Sequence, residues 1–182
     1  MIERLLEALT ARLPCRFIDG EGGEPYLERY YLGGALGWRA YLHRFVDSDP
    51  DRGLHDHPWG RALSLVLVSG YDEIREKPVA DAPTIRRFVR PWRINWLRGD
   101  DFHRVILRGR RPAWTLFLHG PRTKGWGFVQ NGVYRAMARD GSEFRHRDWW
   151  RQAPRGDAMR AGRRGYHRDR SGGSLARPES PR

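Results

Sequence analysis

An all-β domain is the fold class this sequence predicts, and three observations predict it. Between Tyr26 and Phe128, short segments rich in Val, Ile, Leu, Tyr and Trp alternate with Gly, Pro and Asp clusters at the spacing of a sandwich or barrel. Inside that run no stretch repeats apolar residues at the helical period, and no unit of about 20 to 50 residues recurs. The length of 182 residues suffices for one hydrophobic core and is short for two.

Taken in order, the elements follow from local chemistry. Ile2, Leu5, Leu6, Leu9 and Leu13 recur at helical spacing, so residues 2–12 are expected to form a short amphipathic helix that Pro14 ends. Strands are expected at 26–32, 37–46, 54–57, 62–68, 71–76, 84–90, 92–97, 103–107, 113–119 and 125–129. Trp38, Trp92, Trp96 and Trp114 fall in these strands and are expected to pack in the core and against the sheets. Trp59, directly after His-Asp-His-Pro, is placed to wall a pocket mouth, while Trp126 and the Trp149–Trp150 pair are expected to cover a sheet edge or a neighbouring subunit.

Residues 1–150 thus make one domain. Residues 151–182 are dense in Arg, Gly, Ser and Pro with few apolar side chains, too few to offset the entropy of ordering them, and are expected to be disordered. From Arg145 to Arg182 eleven arginines stand against four acids, so most of the chain's net charge of +12 lies in this tail. A lone cysteine, Cys15, excludes an intramolecular disulfide and a cysteine-built zinc knuckle. Glu3 and Glu7 interrupt the N-terminal leucines, so no signal peptide is expected there, and no run of 18 apolar residues offers a membrane span. A cytoplasmic protein without a membrane contact is the expectation.

The stretch GLHDHPWGRALSLVLVSG, residues 53–70, carries the chemistry. In an extended strand residues i and i+2 face the same way, so His55 and His57 project side by side and Asp56 points away. LRGDDFHRVIL supplies a third imidazole, His103, entering another strand after a Gly-Asp-Asp turn and within reach if the sheet closes on itself. Three neutral imidazoles make a facial metal site that leaves other positions open for water, O2 or a chelating substrate.

His-Asp-His leading into ALSLVLVSG, with FHRV downstream, resembles the two motif blocks of the cupin superfamily. The resemblance implies a double-stranded β-helix, a jelly-roll barrel, here with a short N-terminal helix and a disordered basic C-terminal tail. The acid usual a few residues after the His-x-His pair is missing: Ala62, Leu63 and Ser64 stand there. That is similar to the three-histidine branch, the thiol dioxygenases such as cysteine dioxygenase, which also read HDH and HRV. The branch places a substrate-binding arginine in a Y-x-R segment before the first ligand, and here YLERYYL puts Arg29 26 residues before His55. The resemblance therefore implies Fe(II) on His55, His57 and His103, with Arg29 gripping a substrate carboxylate. A planar guanidinium is suited to that grip. Arg39 and Arg44 on the next strand are its rivals, and His43 is a further polar group for the barrel interior.

Two departures qualify the resemblance. The branch's Ser-x-His-x-Tyr relay is matched by Thr115, Phe117 and His119, so it is broken in the middle, leaving His119 to donate a proton or hydrogen bond and Thr115 at its foot. The cysteine that forms a thioether in some members falls at Ala62. Two functions are in contention. The first is a non-haem Fe(II) dioxygenase acting with O2 on a small carboxylate-bearing substrate, a thiol being one option, where Ni, Cu, Zn or Co also suit the imidazoles. The second is a non-catalytic or isomerase-type cupin whose basic tail binds nucleic acid or another polyanion. Edge strands in such a domain also invite a homodimer.

Overall fold

The computed structural model describes residues 1–20, 23–76, 84–137 and 148–162. After helix α1 (Ile2–Ala11) come twelve strands: β1 (Cys15–Asp19), β2 (Pro25–Ala35), β3 (Trp38–Phe45), β4 (Leu54–His55), β5 (Arg61–Val68), β6 (Tyr71–Glu76), β7 (Ile85–Val89), β8 (Ile94–Arg98), β9 (Phe102–Leu107), β10 (Ala113–His119), β11 (Gly127–Gln130) and β12 (Val133–Ala136). They form two six-stranded sheets, β1-β2-β3-β10-β5-β8 and β12-β11-β4-β9-β6-β7. Every pairing is antiparallel, and the central ones nest: β3 with β10, β4 with β9, β5 with β8, β6 with β7. This is the double-stranded β-helix, an all-β barrel as the sequence predicts, with the short N-terminal helix ahead of it.

Strand parity decides what faces the barrel interior. In the first sheet Arg16, Arg29, His43 and Thr115 stand in one cross-strand row. The next inward row carries Tyr31, Tyr41, Phe117 and Ser64. One end of the interior is filled by Leu27, Phe45, Val66, Tyr71, Val89, Val105 and Ala113, and the other by Tyr41, Ala62, Leu97 and Phe117 with Trp59 and Trp149. The opposite face of the sheet carries Cys15, Tyr30, Leu42 and Trp114, covered by Leu6 and Leu13 from the N-terminal segment and by Met159. Of the apolar residues expected to form the stripe, Leu6 and Leu13 seal the outside of the barrel, while Ile2, Leu5 and Leu9 are exposed.

Three expectations need correction. Strands β1 and β12 fall outside the expected set: each is four or five residues long and sits at a sheet end. The expected strand 54–57 pairs only over Leu54–His55. Trp92, Trp96 and Trp38 are not core residues, being 65%, 63% and 40% exposed. On β8, at the end of its sheet, Trp96 and Ile94 take the outer face while Asn95 and Leu97 turn inward. Trp92 is in a turn at positive φ, and only Trp114 is fully buried.

Residues 151–162 are ordered against the barrel, ending in a helical stretch over 156–162. The Cys15 N–H donates to Pro154 O (2.8 Å) and the Gly156 N–H to Leu13 O (3.1 Å). Arg160 Nη1 donates to Tyr30 Oη (2.7 Å), and that hydroxyl donates to the buried Glu28 carboxylate (2.5 Å). A contact of this kind was hidden in the composition, because a few well-placed side chains dock a segment that is polar on average. The expected disorder of 163–182, and any polyanion contact through it, lies outside the described residues. Among the described residues no helix is long and apolar enough to cross a membrane.

Candidate metal centre

The turn before β4 sets the first histidine. Gly53 has φ +104°, and a Cβ there would meet Val129 O at 2.3 Å, so a side chain would push β11 off β4. His55 is then held directly opposite Phe128 on β11 and opposite His103 on β9. Directly opposed residues of an antiparallel pair carry their side chains side by side. The third imidazole arrives by this single strand pairing, not by closure across the barrel as the sequence alone suggested. His57 lies just past β4, its N–H donating to Gly99 O (3.4 Å). Asp56, between them, turns away as expected: it is 1% exposed, accepts from the Gly127 N–H (2.6 Å) and pairs with Lys124.

His55, His57 and His103 each offer a ligand nitrogen, and the three atoms lie within 4.8 Å of one another. His57 Nε2 and His103 Nε2 are 2.8 Å apart. Metal–nitrogen bonds of about 2.0–2.2 Å place neighbouring ligand nitrogens roughly 3 Å apart, so this spacing suits a shared cation. The donor set suits one too. Burial, then the adjacent His103, drives the pKa values of His55 and His57 well below the ordinary histidine range, which leaves both rings neutral and their lone pairs free.

Glu73 on β6 sets the third ring. Its Oε1 is 2.9 Å from His103 Nδ1, so Nδ1–H donates to the carboxylate and Nε2 faces the other two histidines. Burial alone would raise the pKa of Glu73, but the His103 hydrogen bond and the charges of His103 and Arg75 hold it well below the carboxylate range. Arg87 and Asn95 also donate to it. The sequence reading missed Glu73; its one signal was a charged residue on the same strand face as Tyr71. Among the described residues no acid joins the three histidines, and Ala62 and Ser64 line that side of β5, 2% and 5% exposed.

The three histidines sit in the wall of a cavity of about 1630 Å³ that Arg16, Arg29, His43, Trp59 and His119 also line. Arg29 projects into it, its Nε donating to His43 Nε2 (3.0 Å). His43 therefore carries its proton on Nδ1, stacks on Phe117 at 4.7 Å and orients the guanidinium. Of the rivals, Arg44 is on the opposite face of β3, bonded to Glu28 (3.0 Å). Arg39 lines the cavity too, but its guanidinium lies 4.3 Å from the Trp150 ring.

His119 is sandwiched between Trp59 (4.0 Å) and Tyr41 (5.5 Å). Its Nδ1–H donates to Gly120 O (2.8 Å), and burial pushes its pKa down to about 4. The ring is neutral at pH 7 with Nε2 as an acceptor. Trp59 bridges the two histidine groups, stacking also on His57 (5.0 Å). Thr115 is in the expected row but is wholly buried beside His43, and its Oγ1 has no hydrogen-bond partner. Arg16 is the residue the sequence reading omitted along with β1; the alternation of Cys-Arg-Phe-Ile-Asp after Pro14 was the available signal.

Comparison with known proteins shows the fold. A cupin-2 domain from Rhodospirillum rubrum is 11% identical over 75% of this chain and 83% of its own, with a TM-score of 0.51. A sugar phosphate isomerase of the cupin superfamily from Silicibacter pomeroyi is 15% identical over 71% of this chain and 88% of its own, with a TM-score of 0.49. Fe(II)-HppE with an alternative substrate is 12% identical over 59% of this chain and 55% of its own, with a TM-score of 0.49, so this chain spans about half of HppE. No family model matches the sequence, and no curated protein matches it.

Proposed function

We propose that this cupin-fold protein is a metal-dependent oxygenase: His55, His57 and His103 hold Fe(II), and Arg29 holds the acid group of a small substrate that is oxidised with O2. The observation that carries the reading is the convergence of three imidazole nitrogens within 4.8 Å, in the wall of a cavity that Arg29 also lines. Fe(II) bound there would supply the one-electron and O2 chemistry that side chains lack. The preference for iron rests on the resemblance of HDH and HRV to the thiol dioxygenases; Ni, Cu, Zn and Co also suit three imidazoles, with copper the strongest on affinity alone.

The chain's own residues supply position and protection. Arg29, held by His43, fixes the acid end of the substrate. Trp59 and Tyr41 keep the adjoining wall apolar and exclude water. His119 Nε2 accepts a hydrogen bond from a substrate N–H or O–H group. Thr115 supports the β3–β10 pair from behind and has no contact with substrate in this reading.

Purified without a chelating tag and loaded with Fe(II), the protein should bind one metal and consume oxygen with some member of a panel of small thiols and carboxylates. His57→Ala and His103→Ala should abolish both. Metal retained in the double variant overturns the site. Stoichiometric metal with no oxygen uptake on any substrate overturns the oxygenase and leaves the isomerase-type reading.

A further inference from the structure

The cavity holds a second constellation, and none of its members is a metal ligand. Arg16 on β1 is directly opposite Arg29 on β2, so the two guanidinium stems leave neighbouring strands on the same face. Both side chains line the cavity. Like charges directly opposed on a sheet are destabilising unless something neutralises them. Among the described residues neither pairs with a carboxylate: the acids lining the cavity are Asp19, which is exposed, and Asp49, which accepts the Val105 N–H (2.9 Å).

The other charged residues of the lining, Arg39, Arg52, Arg122 and Lys124, are cations as well. Arg16 packs its guanidinium 5.0 Å from the Trp149 ring, and its Nε is buried without a hydrogen-bond partner. Arg29 is 5.5 Å from the Tyr41 ring and spends only Nε on His43. Burial, and the charge of Arg16 next, lowers the pKa of Arg29 to about 10, so it stays a cation. Two adjoining cations with unused donors have been left inside a barrel.

We propose that Arg16 and Arg29 together form the subsite for a doubly charged oxyanion head on the substrate, a phosphate monoester or a phosphonate. The proposal deepens the reading of the cavity as a substrate site. A monocarboxylate would satisfy one fork and leave the other charge uncompensated. A PO3 head carries two charges and three oxygens, enough to bridge both forks. Trp149 closes over the Arg16 side and removes competing water.

The test uses the full chain freed of metal, so that no anion binds through a cation, and follows titration with methylphosphonate, acetate and malonate by calorimetry. Methylphosphonate should bind at least tenfold tighter than acetate. Arg16→Gln and Arg29→Gln should each weaken it at least tenfold, while Arg61→Gln, an exposed arginine outside the cavity, should leave it unchanged. Arg16→Gln should also raise the thermal midpoint of the ligand-free protein, since it removes one of two opposed charges. Equal binding of acetate and methylphosphonate, malonate preferred to both, or loss in Arg61→Gln equal to that in Arg16→Gln overturns the proposal. Cobalt titration of Arg16→Gln separates the two readings: intact metal uptake with lost phosphonate binding affects this subsite alone, and phosphonate binding by a chain that takes no metal affects only the metal reading.

Discussion

His103 Nδ1 lies 2.9 Å from Glu73 Oε1, and this hydrogen bond directs the ring's other nitrogen toward His57. The carboxylate fixes the tautomer and the ring plane, so that Nε2 meets His57 Nε2 at 2.8 Å. Replacing such a partner commonly costs about 10- to 100-fold in metal affinity. Glu73→Gln keeps the volume but not the charge, and should weaken metal binding by about that factor in a chelator competition. Affinity equal to wild type would show that the hydrogen bond does not set the ligand.

Thr115 distinguishes a buried scaffold from a participant. Its Oγ1 is enclosed with no partner, an arrangement that costs stability. Thr115→Val should stabilise the fold by about 1 kcal/mol in urea denaturation and leave metal uptake and oxygen consumption as they were. A loss of turnover with intact metal would restore a role in the chemistry.

The pH dependence of stability follows from His119. Burial lowers its pKa in the folded protein from 6.5 to about 4, so between those values the unfolded chain binds the proton and the folded one does not. Stability from this group is full above pH 6.5 and falls as pH drops toward 4, by about 3 kcal/mol over the window. His43, pushed well down by burial and then by Arg29, acts in the same sense. Urea midpoints of the metal-free protein should fall steeply from pH 7 to 4, and less steeply in His119→Gln. An unchanged slope in that variant would contradict the assignment.

The C-terminal segment is a latch on the outer face. Arg160 donates to Tyr30 Oη (2.7 Å), to Thr10 Oγ1 (3.2 Å) and to Glu7 O (3.2 Å), tying three elements together. Hydrogen bonds from a charged donor contribute about 1.5–3 kcal/mol, and Arg160→Ala should lower the urea-derived stability by an amount in that range. Truncation after Gln152 should cost more, because it also uncovers Tyr30, Trp114 and Cys15 beside Met159. A truncated protein as stable as the full chain would mean that the segment merely rests on the barrel.

Local pattern carried a large part of this protein. Alternation of side chains marked ten of the twelve strands, because burial on one face imposes a period of two. The His-Asp-His pair and the His-Arg-Val block marked the three imidazoles, because few other residue patterns prepare a facial nitrogen set. What the chain's order could not express was register. Only the pairing of β4 with β9 puts His55 opposite His103, only β1 against β2 puts Arg16 opposite Arg29, and only β6 beside β9 brings Glu73 to His103. Strand parity likewise sent Arg44 outward and Arg29 inward, although both are arginines on adjacent strands. The composition of residues 151–162 argued for disorder, and three or four specific contacts overruled it. The physical reason is the same in each case: periodicity is a property of neighbours in sequence, whereas partners up to 130 residues apart are chosen by how the sheets close.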